Sequence, residues 1–188
     1  MKILQVALGR IPDVCQKCMD KNRSIALKNN WEYELVTKLP DEYNVVKLDM
    51  LKTDWYRIDR LTQEKRVLYL DWDATLEIDI NFGPDPVFFK NFDVAIYFGD
   101  DLDFAKRVRK AMGEMKDSYY VGGMIVKALR KVFQEDFILS GADNFNTWLL
   151  KNSKYSNFLA PFRAIRHLHI NRRYMRILPT VSKFSKDK

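Results

Sequence analysis

Val67-Leu68-Tyr69-Leu70-Asp71-Trp72-Asp73 is the stretch that decides the fold. A short run of β-branched, aliphatic and aromatic residues bounded by charges reads as a buried strand. Its C-terminal end carries two carboxylates, Asp71 and Asp73, with one residue between them. Open α/β sheets bind ligands outside the carboxyl ends of their strands. Alternate residues of an extended chain point the same way, so both carboxylates are expected to converge on one spot. Like charges held that close repel unless a cation or a proton lies between them. Hard oxygen ligands suit Mg2+ or Mn2+, ions that a substrate's phosphates often complete. A plain strand end followed by a turn would look the same, so the pair needs support from elsewhere.

That support lies just upstream. Apolar spacing at Val45, Leu48, Leu51, Trp55, Ile58 and Leu61 predicts a helix over about 45–63. Within it Asp54 and Arg57 are three apart and share a face. The structural alternative for that pair is an ordinary intrahelical ion pair, worth a few tenths of a kcal/mol.

Further outward, residues 2–8 read as a first strand. Pro12-Asp13 opens a helix to about Lys28, with Val14, Cys18, Ile25 and Leu27 among its apolar positions, and Asn29-Asn30 ends it. Residues 31–37 read as a second strand, 39–42 as a turn, and 75–80 as a short strand after Asp73. The first 80 residues thus spell β-α-β-α-β-β, the opening of a Rossmann-like α/β domain. The rest is less regular: a loop over 81–86, a strand over 93–98, and a charged, exposed helix over 100–112. Tyr119-Tyr120-Val121 is strand-like and runs into Gly122-Gly123 and a helix to about Phe133. A further helix is expected over 143–150 and a last strand over 164–170. No repeat or linker divides the chain, so one domain over 1–170 with a tail over 171–188 is expected.

The length of 188 residues, 47% hydrophobic and 30% charged, suits one folded domain with a real core. No stretch approaches the roughly 18 apolar residues of a membrane span, and Met1–Arg10 is too short and interrupted for a signal peptide. A cytoplasmic protein is expected, with a peripheral membrane location open to it. The net charge of +7 is concentrated at one end. From Arg163 to Lys188 eight basic residues face one acid, Asp187, while residues 1–162 balance. A basic tail interleaved with Tyr174, Met175, Ile177, Leu178 and Phe184 suits an anionic membrane surface, a nucleic acid or a polyanionic acceptor, or is simply a solvated end. Cys15 and Cys18, the only cysteines, share a helix face. Packing explains them better than redox or zinc chemistry, since no further cysteines exist and His167 and His169 lack zinc-finger spacing. So few cysteines suit a reducing compartment.

These residues resemble the glycosyltransferases with a D-x-D sugar-binding region, the family of the yeast initiating mannosyltransferases and, more distantly, the glucosylating toxins. The first strand there reads roughly I-H-Q-I-W-L-G; here Ile3-Leu4-Gln5-Val6-Ala7-Leu8-Gly9 keeps the isoleucine, the glutamine and the Leu-Gly. The family pattern K-A-D-x-x-R followed by Y-x-D-x-D falls on Lys52, Asp54, Arg57, Tyr69, Asp71 and Asp73 in order and spacing. The match is good over about the first 80 residues and loose beyond. The chain departs at Leu4 and Ala7, and Arg66-Val67 stands where the family has Gly-Gly.

The resemblance implies a single GT-A type, Rossmann-like domain with a mostly parallel mixed sheet flanked by helices. It implies a retaining, Mn2+- or Mg2+-dependent enzyme taking a nucleotide-diphosphate sugar, with UDP or GDP as the nucleotide, and passing the sugar to a glycan, lipid or protein acceptor. On this pattern Asp73 binds the metal directly and Asp71 binds it through water or holds the ribose. The ion neutralises the leaving diphosphate. Asp54 accepts hydrogen bonds from the sugar, Arg57 braces a phosphate or sugar hydroxyl with its forked donors, and Gln5, Tyr69 and Trp72 contact the donor. Gly122 and Gly123 match the turn that lines the sugar. His167 or His169 completes the metal site, and Asp143 supplies the anionic group that an oxocarbenium-like transition state needs. The rivals are a catalytically silent nucleotide-sugar-binding protein and a Mg2+-dependent nucleic-acid-binding protein. The second is disfavoured because no known nucleic-acid module is recognisable.

Overall fold

Two short apolar runs, Ile3-Leu4 and Val67-Leu68-Tyr69-Leu70, lie side by side at the middle of the molecule. They belong to β1 (Lys2–Val6) and β3 (Val67–Asp71), which pair in parallel with Ile3 opposite Leu68 and Val6 opposite Asp71. A computed structural model gives the structure and describes residues 1–45, 49–77, 82–89, 94–115, 124–144, 148 and 165–167. The remaining elements are α1 (Asp13–Lys28), β2 (Glu32–Val36), α2 (Asp49–Gln63), β4 (Ala74–Leu76), β5 (Val87–Phe88), β6 (Ala95–Tyr97), α3 (Leu102–Glu114), α4 (Met124–Ser140) and β7 (Ile165–His167).

The main sheet has the order β2-β1-β3-β6-β5. β2 and β3 run parallel to β1, β6 runs antiparallel to β3, and β5 antiparallel to β6. Four of the five strands therefore point the same way. Strand alternation sorts side chains onto two faces. Leu4, Val6, Val67 and Tyr69 meet Trp55, Tyr56, Ile58 and Leu61 of α2, backed by Phe104, Val108 and Met112 of α3 and Ile125, Leu129 and Phe133 of α4. Ile3, Leu68 and Leu70 face the other way, onto Ala26 of α1, Leu76 of β4 and the aromatic segment around Phe82 and Phe89. Helices thus cover both faces, as an α/β sheet requires. β4 leaves the main sheet and pairs antiparallel with β7, Ala74 opposite His167.

Several expectations need correction. The helix expected from residue 45 begins at Asp49, and a 3-10 turn occupies Asp41–Val45. Val14 and Leu27 of α1 face solvent; the buried stripe is Cys15, Cys18, Met19, Asn22 and Ala26. α3 is not an exposed helix: Phe104, Ala105, Val108, Ala111 and Met112 are buried beneath its charges, and Asp101 caps it by accepting from the Phe104 amide at 2.9 Å. α4 runs past Phe133 to Ser140. β5 went unread because two residues are too few to show alternation. Residues 143–144 are not helical, but Trp148, within the helix expected over 143–150, is, and its amide donates to the Asn144 carbonyl at 2.9 Å. The Tyr119–Val121 segment, most of the helix expected over 143–150 and the tail over 171–188 lie outside the described residues.

Arg66, where the resemblance puts glycine, has φ +56°. That left-handed backbone is the one glycine adopts without cost. Its side chain forms an exposed bidentate pair with Asp100, Nε to Oδ1 at 2.9 Å and Nη2 to Oδ2 at 3.0 Å.

Candidate functional site

The site assembles where α2 lies against the C-terminal end of β3. Alternation along β3 turns Tyr69 and Asp71 toward α2, and the third turn of that helix presents Arg57 to them. Arg57 Nη1 lies 3.1 Å from Asp71 Oδ1, and Nη2 lies 2.6 Å from Asp54 Oδ1. The Tyr69 hydroxyl donates to the same Asp71 Oδ1 at 2.7 Å, and the guanidinium sits 4.8 Å from the Tyr69 ring centroid. So Asp54 and Arg57 make more than an intrahelical pair: the arginine bridges two acids on two elements.

Burial decides what each group can do. Arg57 is 4% exposed, whereas the side chains of Asp54 and Asp71 are 19% and 27% exposed. Burial works against the arginine's charge, but Tyr69, Asp54 and Asp71 outweigh it and hold its pKa above the ordinary value. Burial, and then the Asp71 charge, push the Tyr69 hydroxyl well above its usual range, so it remains a proton donor to Asp71. The two acids keep an edge toward solvent; the arginine and tyrosine behind them do not.

The turn beyond β3 departs from expectation. Extended structure stops at Asp71, and Trp72-Asp73 form a turn before β4. The alternation that would align Asp71 with Asp73 is therefore broken. Asp71 faces α2, whereas Asp73, 6% exposed, acts on Cys15 near the start of α1. Cys15 is sealed, and burial, then Asp73 and Cys18, push its thiol up to about 12. A redox motif needs the opposite, a reactive low-pKa thiolate, and Cys15 and Cys18 pack in the core as expected.

Beneath the turn lies a buried amide pair. Gln5 Nε2 donates to the Asp71 carbonyl at 2.9 Å, and Gln5 Oε1 accepts from Asn22 Nδ2 at 3.2 Å and from the Tyr33 hydroxyl at 2.9 Å. Asn22 Nδ2 also donates to the Ala74 carbonyl at 2.8 Å, and Asn22 Oδ1 accepts from the Leu76 amide at 3.0 Å. Both residues are 0% exposed. Gln5, expected at the donor, instead faces backbone, and Tyr69 and Arg57 are likewise sealed behind the acids. Asn22 was missed. The signal was present, a polar residue on the buried stripe of α1, which must find partners.

The other expected residues are placed as follows. Trp72 sits half-buried in the turn. β7 sets the backbone of His167 opposite Ala74, next to Asp73 in sequence. Asp143 is exposed on the loop after α4, and among the described residues no hydrogen bond or ion pair joins it to Arg57, Asp71 or Asp73. Gly122, Gly123 and His169 lie outside the described residues. Among the described residues no three His, Cys, Asp or Glu side chains gather to hold a metal ion, and no helix is long and apolar enough to cross a membrane.

No protein-family model matches the chain, and no curated protein matches it significantly in sequence. Among solved structures it is similar to a glycosyltransferase involved in the glycosylation of the major capsid of PBCV-1, at 14% identity over 66% of this chain and 73% of that one, with a TM-score of 0.48. It is also similar to the PaToxG glycosyltransferase, at 8% identity over 87% of this chain and 85% of that one, with a TM-score of 0.46.

Proposed function

We propose that this chain is a GT-A type glycosyltransferase that takes a nucleotide-diphosphate sugar at the C-terminal end of β3. The observation that carries the reading is the Asp54–Arg57–Asp71 bridge. It joins, at one strand end, motif residues that the sequence supplies from two separate segments, and it leaves both carboxylates with an open edge.

In this reading Asp54 accepts hydrogen bonds from sugar hydroxyls and Asp71 from the ribose. Arg57 neutralises and orients both acids from behind, and the Tyr69 hydroxyl fixes the Asp71 rotamer. Trp72 offers an aromatic face to the donor. The oxygen donors fit Mg2+ or Mn2+ only in part, because the turn aims Asp71 at α2 and Asp73 at α1: Asp73 is the carboxylate that would hold the ion directly and Asp71 would reach it only through water, with substrate phosphates filling most of the shell. When bound, such an ion neutralises the charge of the departing diphosphate. A histidine of the 167–169 stretch is the further candidate ligand. For a retaining reaction Asp143, exposed on the loop after α4, would supply the anionic group only if that loop closes on the cluster. A second reading, donor binding without transfer, is favoured by one observation: Asp71 Oδ1 is already engaged by Arg57 and Tyr69.

The test is thermal shift and donor hydrolysis with a panel of UDP- and GDP-sugars, with and without Mn2+, on the parent and on Asp73→Ala. Metal-dependent stabilisation by one nucleotide, lost in the variant, is expected. Stabilisation without hydrolysis or transfer would favour the silent reading. Indifference to every nucleotide with metal present would sink both.

A further inference from the structure

We infer that Gln5 and Asn22 form a positioning clamp for the Asp71–Ala74 turn, an inference that rests on the glycosyltransferase reading for its functional consequence. The two amides grip the turn from both sides. Gln5 holds the carbonyl of Asp71, where β3 ends, and Asn22 holds the carbonyl of Ala74, where β4 begins. Asn22 also takes the amide of Leu76, so three backbone groups around Trp72-Asp73 are bound by two side chains. The amides bond to each other, and the Tyr33 hydroxyl closes the remaining lone pair of Gln5.

The orientation of both amides is dictated. Two donors, Asn22 Nδ2 and the Tyr33 hydroxyl, point at one end of Gln5, so that end is its oxygen and the other is free to donate to Asp71. Asn22 uses both N–H groups and one lone pair of its oxygen, three of the four bonds a primary amide can make. A network with every member satisfied fixes one geometry and resists alternatives, whereas a buried polar group left unpaired is costly. The clamp also links three elements, β1, α1 and the β3–β4 connection, with β2 adding Tyr33. The turn it grips carries Trp72 and Asp73 and adjoins Asp71. Neither Gln5 nor Asn22 can touch a ligand, since both are sealed. They act through the backbone that aims the acids.

The test uses Gln5→Glu, Asn22→Ala and Tyr33→Phe in the full chain. Gln5→Glu keeps the acceptor for Asn22 and Tyr33 and loses the donor to Asp71 while its carboxyl is ionised, so exchange is compared at neutral and alkaline pH; Asn22→Ala removes the other grip without introducing a titrating group. Tyr33→Phe removes one bond at the rim and leaves both grips on the turn, so it serves as a folded control. The first readout is amide hydrogen exchange of the 71–77 segment with no ligand present. The clamp predicts exchange there faster by on the order of tenfold in Gln5→Glu, the size of one lost buried hydrogen bond, and faster still in Asn22→Ala, which loses three, while β1 and α2 keep their protection and Tyr33→Phe changes little. The second readout is binding of UDP or GDP with Mn2+ by calorimetry, expected to weaken in step with the faster exchange. Unchanged exchange at 71–77, or acceleration spread evenly over the sheet, overturns the clamp. Faster exchange with nucleotide binding unaltered from the parent overturns its link to the site. Faster exchange in variants of a parent that binds no nucleotide confirms the clamp's grip and sinks the glycosyltransferase reading instead.

Discussion

Arg57 Nη1 on α2 lies 3.1 Å from Asp71 Oδ1 at the end of β3, so a single buried guanidinium ties a helix to the strand end that carries the candidate chemistry. Removing one partner of a buried ion pair leaves uncompensated charge and costs about 3–5 kcal/mol. Here the acids are partly open to water, which relieves some of that cost. Arg57→Ala is expected to lose about 3 kcal/mol in urea denaturation at neutral pH, and Arg57→Lys less, because it keeps a charge but not the fork that reaches both acids. A loss under about 1 kcal/mol, the scale of a surface pair, would mean that the bridge does not organise the site.

The sequence made this bridge half legible. The i,i+3 spacing put Asp54 and Arg57 on one face, and the apolar run ending at Asp71 announced a strand edge. What spacing could not say is that α2 crosses the sheet so that Arg57 meets Asp71, because that depends on packing between Trp55, Ile58, Leu61 and the face made by Leu4, Val67 and Tyr69. The alternation argument failed at Asp73 for a local reason: the strand stops at Asp71, and a period of two has no meaning in a turn. Gln5 was found by resemblance, and its amide is bonded to the Asp71 carbonyl, Asn22 and Tyr33, a placement no linear motif announces, because spacing does not distinguish a side chain aimed at a ligand from one aimed at its own backbone. The solvent-facing Val14 and Leu27 and the buried Asn22 show the same limit in α1, where residue type and actual face disagree.

In the middle of β2, Glu34 accepts from Arg60 Nη1 at 2.5 Å and Nη2 at 2.9 Å, and Lys2 lies 3.4 Å away. The hydrogen bond from Arg60 holds the Glu34 carboxyl below its ordinary value of 4.5, against the opposing effect of burial. A depressed carboxyl binds more protons unfolded than folded, so its contribution is complete above pH 4.5 and disappears as pH falls through the lower, folded value. Urea denaturation from pH 7 to pH 3 is expected to show a smaller acid-side decline for Glu34→Gln than for the parent. The other lowered acids, Asp100 and Glu114, are common to both proteins and cancel in the comparison. Identical pH profiles would rule out this pair as a source of the acid sensitivity.

Cys15 gives the complementary expectation on the alkaline side. Burial, with Asp73 and Cys18 beside it, pushes the thiol up to about 12 from 9.0. Since the thiolate is the nucleophile, iodoacetamide at pH 8 is expected to leave the folded chain essentially unlabelled at both cysteines and to label both on adding denaturant. Rapid single-site labelling at Cys15 under native conditions would restore the redox reading of the pair. The sign for stability follows from the raised value: the contribution is intact below pH 9, the unfolded thiol's value, and is lost as pH climbs toward about 12.

Gly99 and Gly9 both have left-handed backbones, at φ +60° and +80°, yet they should respond differently to alanine. At Gly9 an added Cβ meets nothing within 4 Å, so only the intrinsic strain of a left-handed alanine remains, about 1–2 kcal/mol. At Gly99 the same Cβ would fall 2.0 Å from the Pro84 carbonyl oxygen and 2.6 Å from its carbon. That carbonyl cannot swing aside cheaply, because it accepts from the Asp100 amide at 2.7 Å and so holds the 82–86 loop against the end of β6. The neighbouring Arg66 amide, in turn, donates to the Gly99 carbonyl at 2.8 Å. Shifting the backbone at Gly99 would therefore disturb both the loop that precedes β5 and the turn that enters β3. Gly99→Ala is expected to cost at least twice as much as Gly9→Ala, roughly 3 kcal/mol or more, read as a difference in urea midpoint at constant slope. Equal losses at the two sites would show that the loop yields freely and that the approach of Pro84 to Gly99 does not constrain the fold.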